Sequence, residues 1–265
     1  MNIRLLGASV VVLVVIVGLV AGIFAGSIER ALLAPPMGRL AAGQPTAMPS
    51  SPMQTTPTAT ATATGQMLAT DTFKRPDQAL WGMASDKGMW GGDANTKSQI
   101  FSVVGGVGLI AHGQNTFNAL LGPNLGPNQD NVEVLLHGSI NHFAANGQSN
   151  IGVVLRWSDS DNWYKALIDG ANLTILKRVN GNQEVLNKFP FKAQGNTMYS
   201  LRFRAVGATL YARVWQSDMP EPANWMLTAT DTNLASGQAG VRVLVQNDSV
   251  IKITLFQVMM ASTAM

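Results

Sequence analysis

The residues able to do chemistry in this 265-residue chain are few and widely spaced. It has no cysteine, which removes thiol nucleophiles, disulfides, cysteine-based zinc or iron–sulfur sites and a lipobox-type lipid anchor together. Only four glutamates are present, Glu29, Glu133, Glu184 and Glu221, each isolated. Retaining cleavage of a glycosidic bond needs two carboxyl groups about 5 Å apart, and no pair at strand spacing supplies them. Asp159 and Asp161 are the one close acidic pair, within the run Ser158-Asp159-Ser160-Asp161-Asn162. Their oxygens could form half of a structural calcium site. The competing reading is that Ser, Asp and Asn in such a run bond their own backbone and make a turn. His137 and His142 have no third ligand near them in sequence, so zinc is not expected. Neither a G-x-S-x-G elbow, a phosphate loop nor a dinucleotide fingerprint occurs; Gly105-Gly106-Val107-Gly108 reads as a turn between strands. No catalytic residue and no cofactor are expected.

Rings are better represented. Six tryptophans, with Tyr164, Tyr199 and Tyr211, offer the flat faces on which sugars stack, and Asn, Gln and Asp side chains can serve hydroxyl groups. Trp157, Trp163 and Trp225 lie beside polar loops where a ring could be partly open; with Tyr164 and Asn162 they form the candidate ligand-binding set. Trp81, Trp90 and Trp215 are expected to pack between sheets. Arg156, Lys165, Arg178 and Arg213 fall on outward alternate positions and read as a solvated face. Residues 67–265 hold 15 Lys+Arg against 14 Asp+Glu, a net of +1 without clustering, so the basic stripe of a nucleic-acid binder is missing.

Val132, Val134 and Leu136 alternate with Glu133 and His137, and Leu201, Phe203 and Ala205 alternate with Arg202 and Arg204. That period of two marks half-buried strands. Further strand candidates are 99–104, 107–111, 115–121, 149–157, 162–169, 171–179, 209–216, 224–230, 238–245 and 250–259, separated by Gly, Asn, Asp and Pro clusters. Asp169-Gly170 and Asn180-Gly181 predict two-residue hairpin turns, because these residues tolerate positive φ; residues 162–188 then form a three-strand meander. About a dozen strands with no crossover helix and no recurring period predict an all-β, two-sheet antiparallel jelly-roll sandwich.

A resemblance points the same way. Asp71 and Phe73, Trp81-Gly82, Trp90-Gly91-Gly92, Phe101-Ser102-Val103 and Gly105-Gly106 resemble the opening of a bacterial secreted domain of the concanavalin A-like lectin/glucanase superfamily, also described as laminin G-like jelly rolls. Gly152 to Trp157, the turn 158–162 with Trp163-Tyr164, and Leu176 to Val179 are similar to its central hairpins. Val214-Trp215, Glu221-Pro222-Ala223, Trp225, Thr228 to Asp231 and Gly240-Val241-Arg242 are similar to its last strands. The likeness covers about 71–258. It implies a carbohydrate- or surface-binding role, and it also brings in β-glucanases, whose Glu-x-Asp-x-(x)-Glu strand motif is absent here. A glycoside hydrolase-like enzyme is accordingly the weakest of three readings. The others are a non-catalytic glycan-binding module and an accessory subunit of an envelope assembly.

The amino-terminal quarter reads differently. Leu5 to Ile28 is a run of 24 residues without a charge, about 36 Å as a helix at ~1.5 Å per residue, enough to cross a ~30 Å hydrocarbon core. A cleaved signal peptide ending near Ala25 or Ser27 is the alternative. Residues 35–66 carry six of the twelve prolines, seven threonines and no aromatic residue, a composition that cannot build a core. The expected organisation is a membrane anchor in 1–30, a linker in 31–66 and a β-sandwich in 67–265, with the sandwich outside the cytoplasm. The expected partners are the membrane, through residues 5–28, and a polysaccharide or envelope protein.

Overall fold

The computed structural model describes residues 65–127, 129 and 131–261. The expected anchor and linker lie outside them. Among the described residues no helix is long and apolar enough to cross a membrane.

Sixteen strands follow one another in the described chain: β1 (Met67–Asp71), β2 (Gln78–Ala79), β3 (Gly91–Gly92), β4 (Phe101–Val104), β5 (Val107–Ile110), β6 (Asn115–Leu120), β7 (Val132–Ile140) and β8 (Ile151–Asp159). The second half adds β9 (Asn162–Ile168), β10 (Asn172–Val179), β11 (Asn182–Pro190), β12 (Tyr199–Val206), β13 (Thr209–Gln216), β14 (Leu227–Thr230), β15 (Gln238–Val245) and β16 (Ile251–Met260). They form two antiparallel sheets. The first, of nine strands, runs β14-β13-β12-β7-β16-β5-β4-β2, with β1 also paired to β16; the second, of seven, runs β11-β10-β9-β8-β15-β6-β3.

Alternation decides which side chains enter the space between the sheets. Leu201 and Phe203 of β12 stand opposite Leu136 and Val134 of β7, and all four are at most 1% exposed. Tyr164, Ala166 and Ile168 of β9 meet them from the other sheet and are fully buried. Each such aliphatic or aromatic side chain contributes about 1.5–3 kcal/mol by leaving water.

One end of the core is built on Asp71. Its carboxylate is fully buried and accepts Arg75 Nη1 at 2.8 Å and Nη2 at 3.1 Å, Trp90 Nε1 at 2.7 Å, the Phe73 amide at 2.8 Å and Ser85 Oγ at 3.0 Å. Burial pushes this carboxyl up, but the Arg75 and Trp90 donors outweigh it and hold the group below 3.8. Around it Phe73, Trp81 and Trp90 pack ring against ring at 4.7–6.0 Å between centroids. The opening motif of the resemblance is thus a structural knot that ties β1 to the loops after it.

The turns follow the sequence with one adjustment. Asn180 and Gly181 have φ of 49° and 79° between the paired Val179 and Asn182, the predicted two-residue turn. At the preceding hairpin the turn sits one residue later than predicted. Asp169 donates its amide to Asn172 O, Gly170 takes φ 91°, and Asp169 Oδ1 caps the turn by accepting the Ala171 and Asn172 amides. The strand candidates are found in place, while β1 and the short β2 and β3 were not legible.

Candidate functional site

The outward face of the second sheet carries a feature that alternation alone does not produce. Val154, Trp157, Trp163, Leu167 and Leu176 form a second apolar cluster there, apart from the main core, and each is at most 8% exposed. A bulge in β8 makes this possible. Ile151, Val153 and Leu155 face the core, so a regular strand would turn Trp157 inward as well. Arg156 instead adopts φ 51°, the ladder slips between Leu155 and Asp159, and the next side chain is re-aimed. Arg156 turns away and donates to Leu234 O at 2.9 Å and Gly207 O at 2.8 Å. Trp157 comes to lie parallel to Trp163, centroids 6.5 Å apart at 8°. The Arg242 guanidinium rests against both rings, 4.6 Å from Trp163 and 5.3 Å from Trp157.

Beside this pair lies a groove of about 280 Å³. Its lining spans most of the sheet: Gln183, Val185 and Lys188 of the edge strand β11 on one side, Arg242 of β15 and Thr116 of β6 on the other. The face is therefore dished. A bulge at Leu186, where Leu176 pairs with Val185 but Ile175 pairs with Asn187, lets both Val185 and Lys188 face the groove. On the floor, Lys165 and Thr174 are 4% and 5% exposed. Lys165 Nζ donates to Asn150 Oδ1 at 2.6 Å and forms no ion pair among the described residues. Burial, and then repulsion by Arg242, pulls this ammonium well below the ordinary 10.5. Its stem crosses Gly152, where an added Cβ would lie 2.6 Å from Lys165 Cε. Burial and Arg178 lower Arg242 to about 10, so it is still charged at neutral pH. Its Nη1 donates to Asn118 Oδ1.

The candidate ligand-binding residues do not assemble into one site. Trp157 and Trp163 stack on each other and Trp163 lines the groove, yet both are buried instead of partly open; Trp163 Nε1 is also fixed to Ser160 O at 2.9 Å. Tyr164 points into the core, where its hydroxyl donates to Asp231 Oδ1 at 2.5 Å and accepts the Leu234 amide. Burial and that carboxylate push its pKa upward. Asn162 is a clip between hairpins, accepting the Asn180 amide at 3.0 Å and donating to Asp159. Trp225 lies on the outer face of the other sheet, half-buried under Arg213 at 4.3 Å and Arg204 at 5.4 Å. There Glu133 pairs with Arg202 and Arg204, and Glu221 with Arg202 and Arg213. Trp81 and Trp90 are fully buried as expected. Trp215 is not between the sheets, because it alternates with the inward Val214 and pairs with Ser200.

The solvated reading of the cations needs correction too. Arg156 and Lys165 are each 4% exposed, and Arg213 is engaged by Glu221 and by the Pro222 carbonyl at 2.6 Å. The acidic pair behaves as a turn. Asp159 Oδ1 accepts the Asp161 amide at 2.7 Å, which with Asn162 holds its carboxyl below 3.8, and Asp161 pairs with Arg178 at 3.0 Å. Among the described residues no three His, Asp or Glu side chains converge as metal ligands. Sequence reasoning missed Asn150, Thr174 and Arg242 as groove residues, and placed Lys165 on the correct face with the wrong environment.

A larger hollow, about 700 Å³, adjoins the groove through Gly147, Asp169 and Lys188 and is lined mainly by alanine and glycine residues, with His142 and Phe143 at its side.

No family model and no curated protein matches the chain. Solved structures do. A xylan β-1,4-xylosidase from Bacillus halodurans C-125 matches at 13% identity and a TM-score of 0.51 over 72% of this chain and 38% of that one. The exoplasmic/lumenal domain of VIP36, solved in a Ca2+/Man2-bound form, matches at 10% identity and a TM-score of 0.50, over 71% of this chain and 88% of that one. The carbohydrate recognition domain of Emp46p, in metal-free form, matches at 10% identity and a TM-score of 0.50, over 67% and 89%. What the likeness establishes is the fold: a two-sheet antiparallel jelly roll.

Proposed function

We propose that the sandwich is a glycan-binding module without catalytic function, held outside the cytoplasm by the apolar segment 5–28 and the linker 31–66. The observation that carries this reading is the dished outer face of the second sheet. There an open groove is lined by Gln183, Thr116, Thr174, Lys165 and Arg242 beside a fixed pair of indoles. Amide, hydroxyl and cationic donors around a shallow groove suit a polyhydroxylated ligand. Two of the matched structures, VIP36 and Emp46p, are named for a bound mannose or for carbohydrate recognition, which supports the same direction. The absence of a strand-spaced carboxylate pair argues against hydrolysis; Glu133, the one glutamate inside a central strand, lies on the sheet away from the groove and is held by Arg202 and Arg204 of the neighbouring strand.

A glycan array probed with the full chain, followed by titration of the best hit, tests the reading. Dissociation constants in the micromolar to millimolar range are expected for an open site, together with no release of reducing sugar. A blank array alongside co-purification of a defined envelope complex would favour an accessory subunit instead.

A further inference from the structure

Two cations, Lys165 and Arg242, line the groove without an ion-pair partner among the described residues. Lys165 is 4% exposed, and its ammonium, with three donors, meets one neutral acceptor, Asn150 Oδ1. Arg242 meets Asn118 Oδ1 and two indole faces. Lys188 adds a third positive group to the lining. The one carboxylate that lines the groove, Asp169, accepts the Ala171 and Asn172 amides of its own hairpin through Oδ1 and forms no ion pair with either cation among the described residues. Burying an ammonium without a counter-charge is costly, and a neutral side chain could have filled the same place over Gly152. Two neighbouring cations that repel each other form a receptor that an anion would relieve.

We infer that this groove takes a saccharide through an oxyanion substituent on its ring, a uronic acid carboxylate or a sulfate ester, held by Lys165 and Arg242. The inference rests on the glycan-binding reading and narrows it to acidic polysaccharides. The carboxylate and the sulfate share the chemistry that the two cations recognise: a compact oxyanion accepting several charge-assisted hydrogen bonds.

The test uses the purified full chain and two matched pairs of probes: oligogalacturonate against its methyl ester, and dextran sulfate against dextran. The charged member of at least one pair should bind about tenfold tighter or more than its neutral counterpart, as expected when a charge-assisted bond is removed. The pair that shows the preference identifies the source of the oxyanion. That preference should shrink as salt is raised. Lys165→Met should abolish it while the chain keeps a cooperative melting transition. Equal binding within both pairs overturns the inference and leaves the glycan reading intact, as does a preference that survives in Lys165→Met. If none of the four probes binds, the inference falls, and an array of neutral glycans on the same sample decides whether the glycan reading falls with it.

Discussion

Lys165 illustrates how a single residue can weigh on stability for the sake of a site. Because burial lowers its pKa in the folded protein, the unfolded chain binds more protons between that lowered value and the ordinary 10.5. Stability therefore rises with pH across this window and is least below it. Lys165→Met should remove that slope and raise stability at neutral pH by about 1–3 kcal/mol, which thermal melts from neutral to alkaline pH would show. An unchanged slope would mean that the ammonium is solvated. The two kinds of tryptophan should also separate. Trp163→Ala removes a ring 1% exposed and should cost about 3–5 kcal/mol, so deletion is a poor probe of its contact with ligand. Trp225→Ala loses half-exposed cation–π contacts and should cost about 1–2 kcal/mol. Chemical denaturation of both variants makes the comparison.

At the scale of elements, the hairpins and the alternating strands were readable because their signals are local. Asn180-Gly181 specifies its turn by tolerating positive φ, and Leu201, Phe203 and Ala205 specify their face by period. The groove was not readable, because it depends on two bulges and on a loop from elsewhere in the chain. Nothing in Leu155-Arg156-Trp157 announces that an arginine will take φ 51°, and without that bulge the period assigns Trp157 to the core. Lys165 was placed on the outward face correctly, but Asn150 and the bulge at Leu186, which enclose it, are set by pairing with other strands. Gly237 offers a test of the β8 bulge. It has φ 140°, and a Cβ there would lie 2.5 Å from the Arg156 carbonyl carbon and the Trp157 oxygen. Gly237→Ala should therefore displace the bulge, cost upward of about 1–3 kcal/mol, and weaken the circular-dichroism couplet expected of two parallel indoles. Retention of the couplet would show that Trp157 does not need the bulge.

For the whole molecule, the proposed anchor and linker ahead of the sandwich make a simple prediction. Membranes washed with carbonate should retain the chain, and external protease should cut within 35–66 and release a resistant fragment of about 200 residues, since folded strands resist cleavage where exposed linkers do not. Recovery of intact chain in the soluble fraction would remove the anchor. The resemblance of the opening motif, read from Asp71 and Phe73 through Trp90, proved informative about architecture and silent about ligand, because those residues build the knot and not the groove.

That knot has a mechanical side. The chain enters the sandwich at β1, which pairs with β16 alone, from Met67 opposite Met259 to Asp71 opposite Phe256. Any pull between a ligand in the groove and the chain before Gly65 is thus borne first by this one short ladder. Where the ladder ends, Asp71 is fastened to Arg75, Ser85 and Trp90, so a load that strips β1 from β16 is arrested before it reaches the core. In a pulling experiment Asp71→Asn should lower the unfolding force from the amino-terminal direction far more than from the carboxy-terminal one. The buried carboxylate would then be a brake, placed where tension enters the fold.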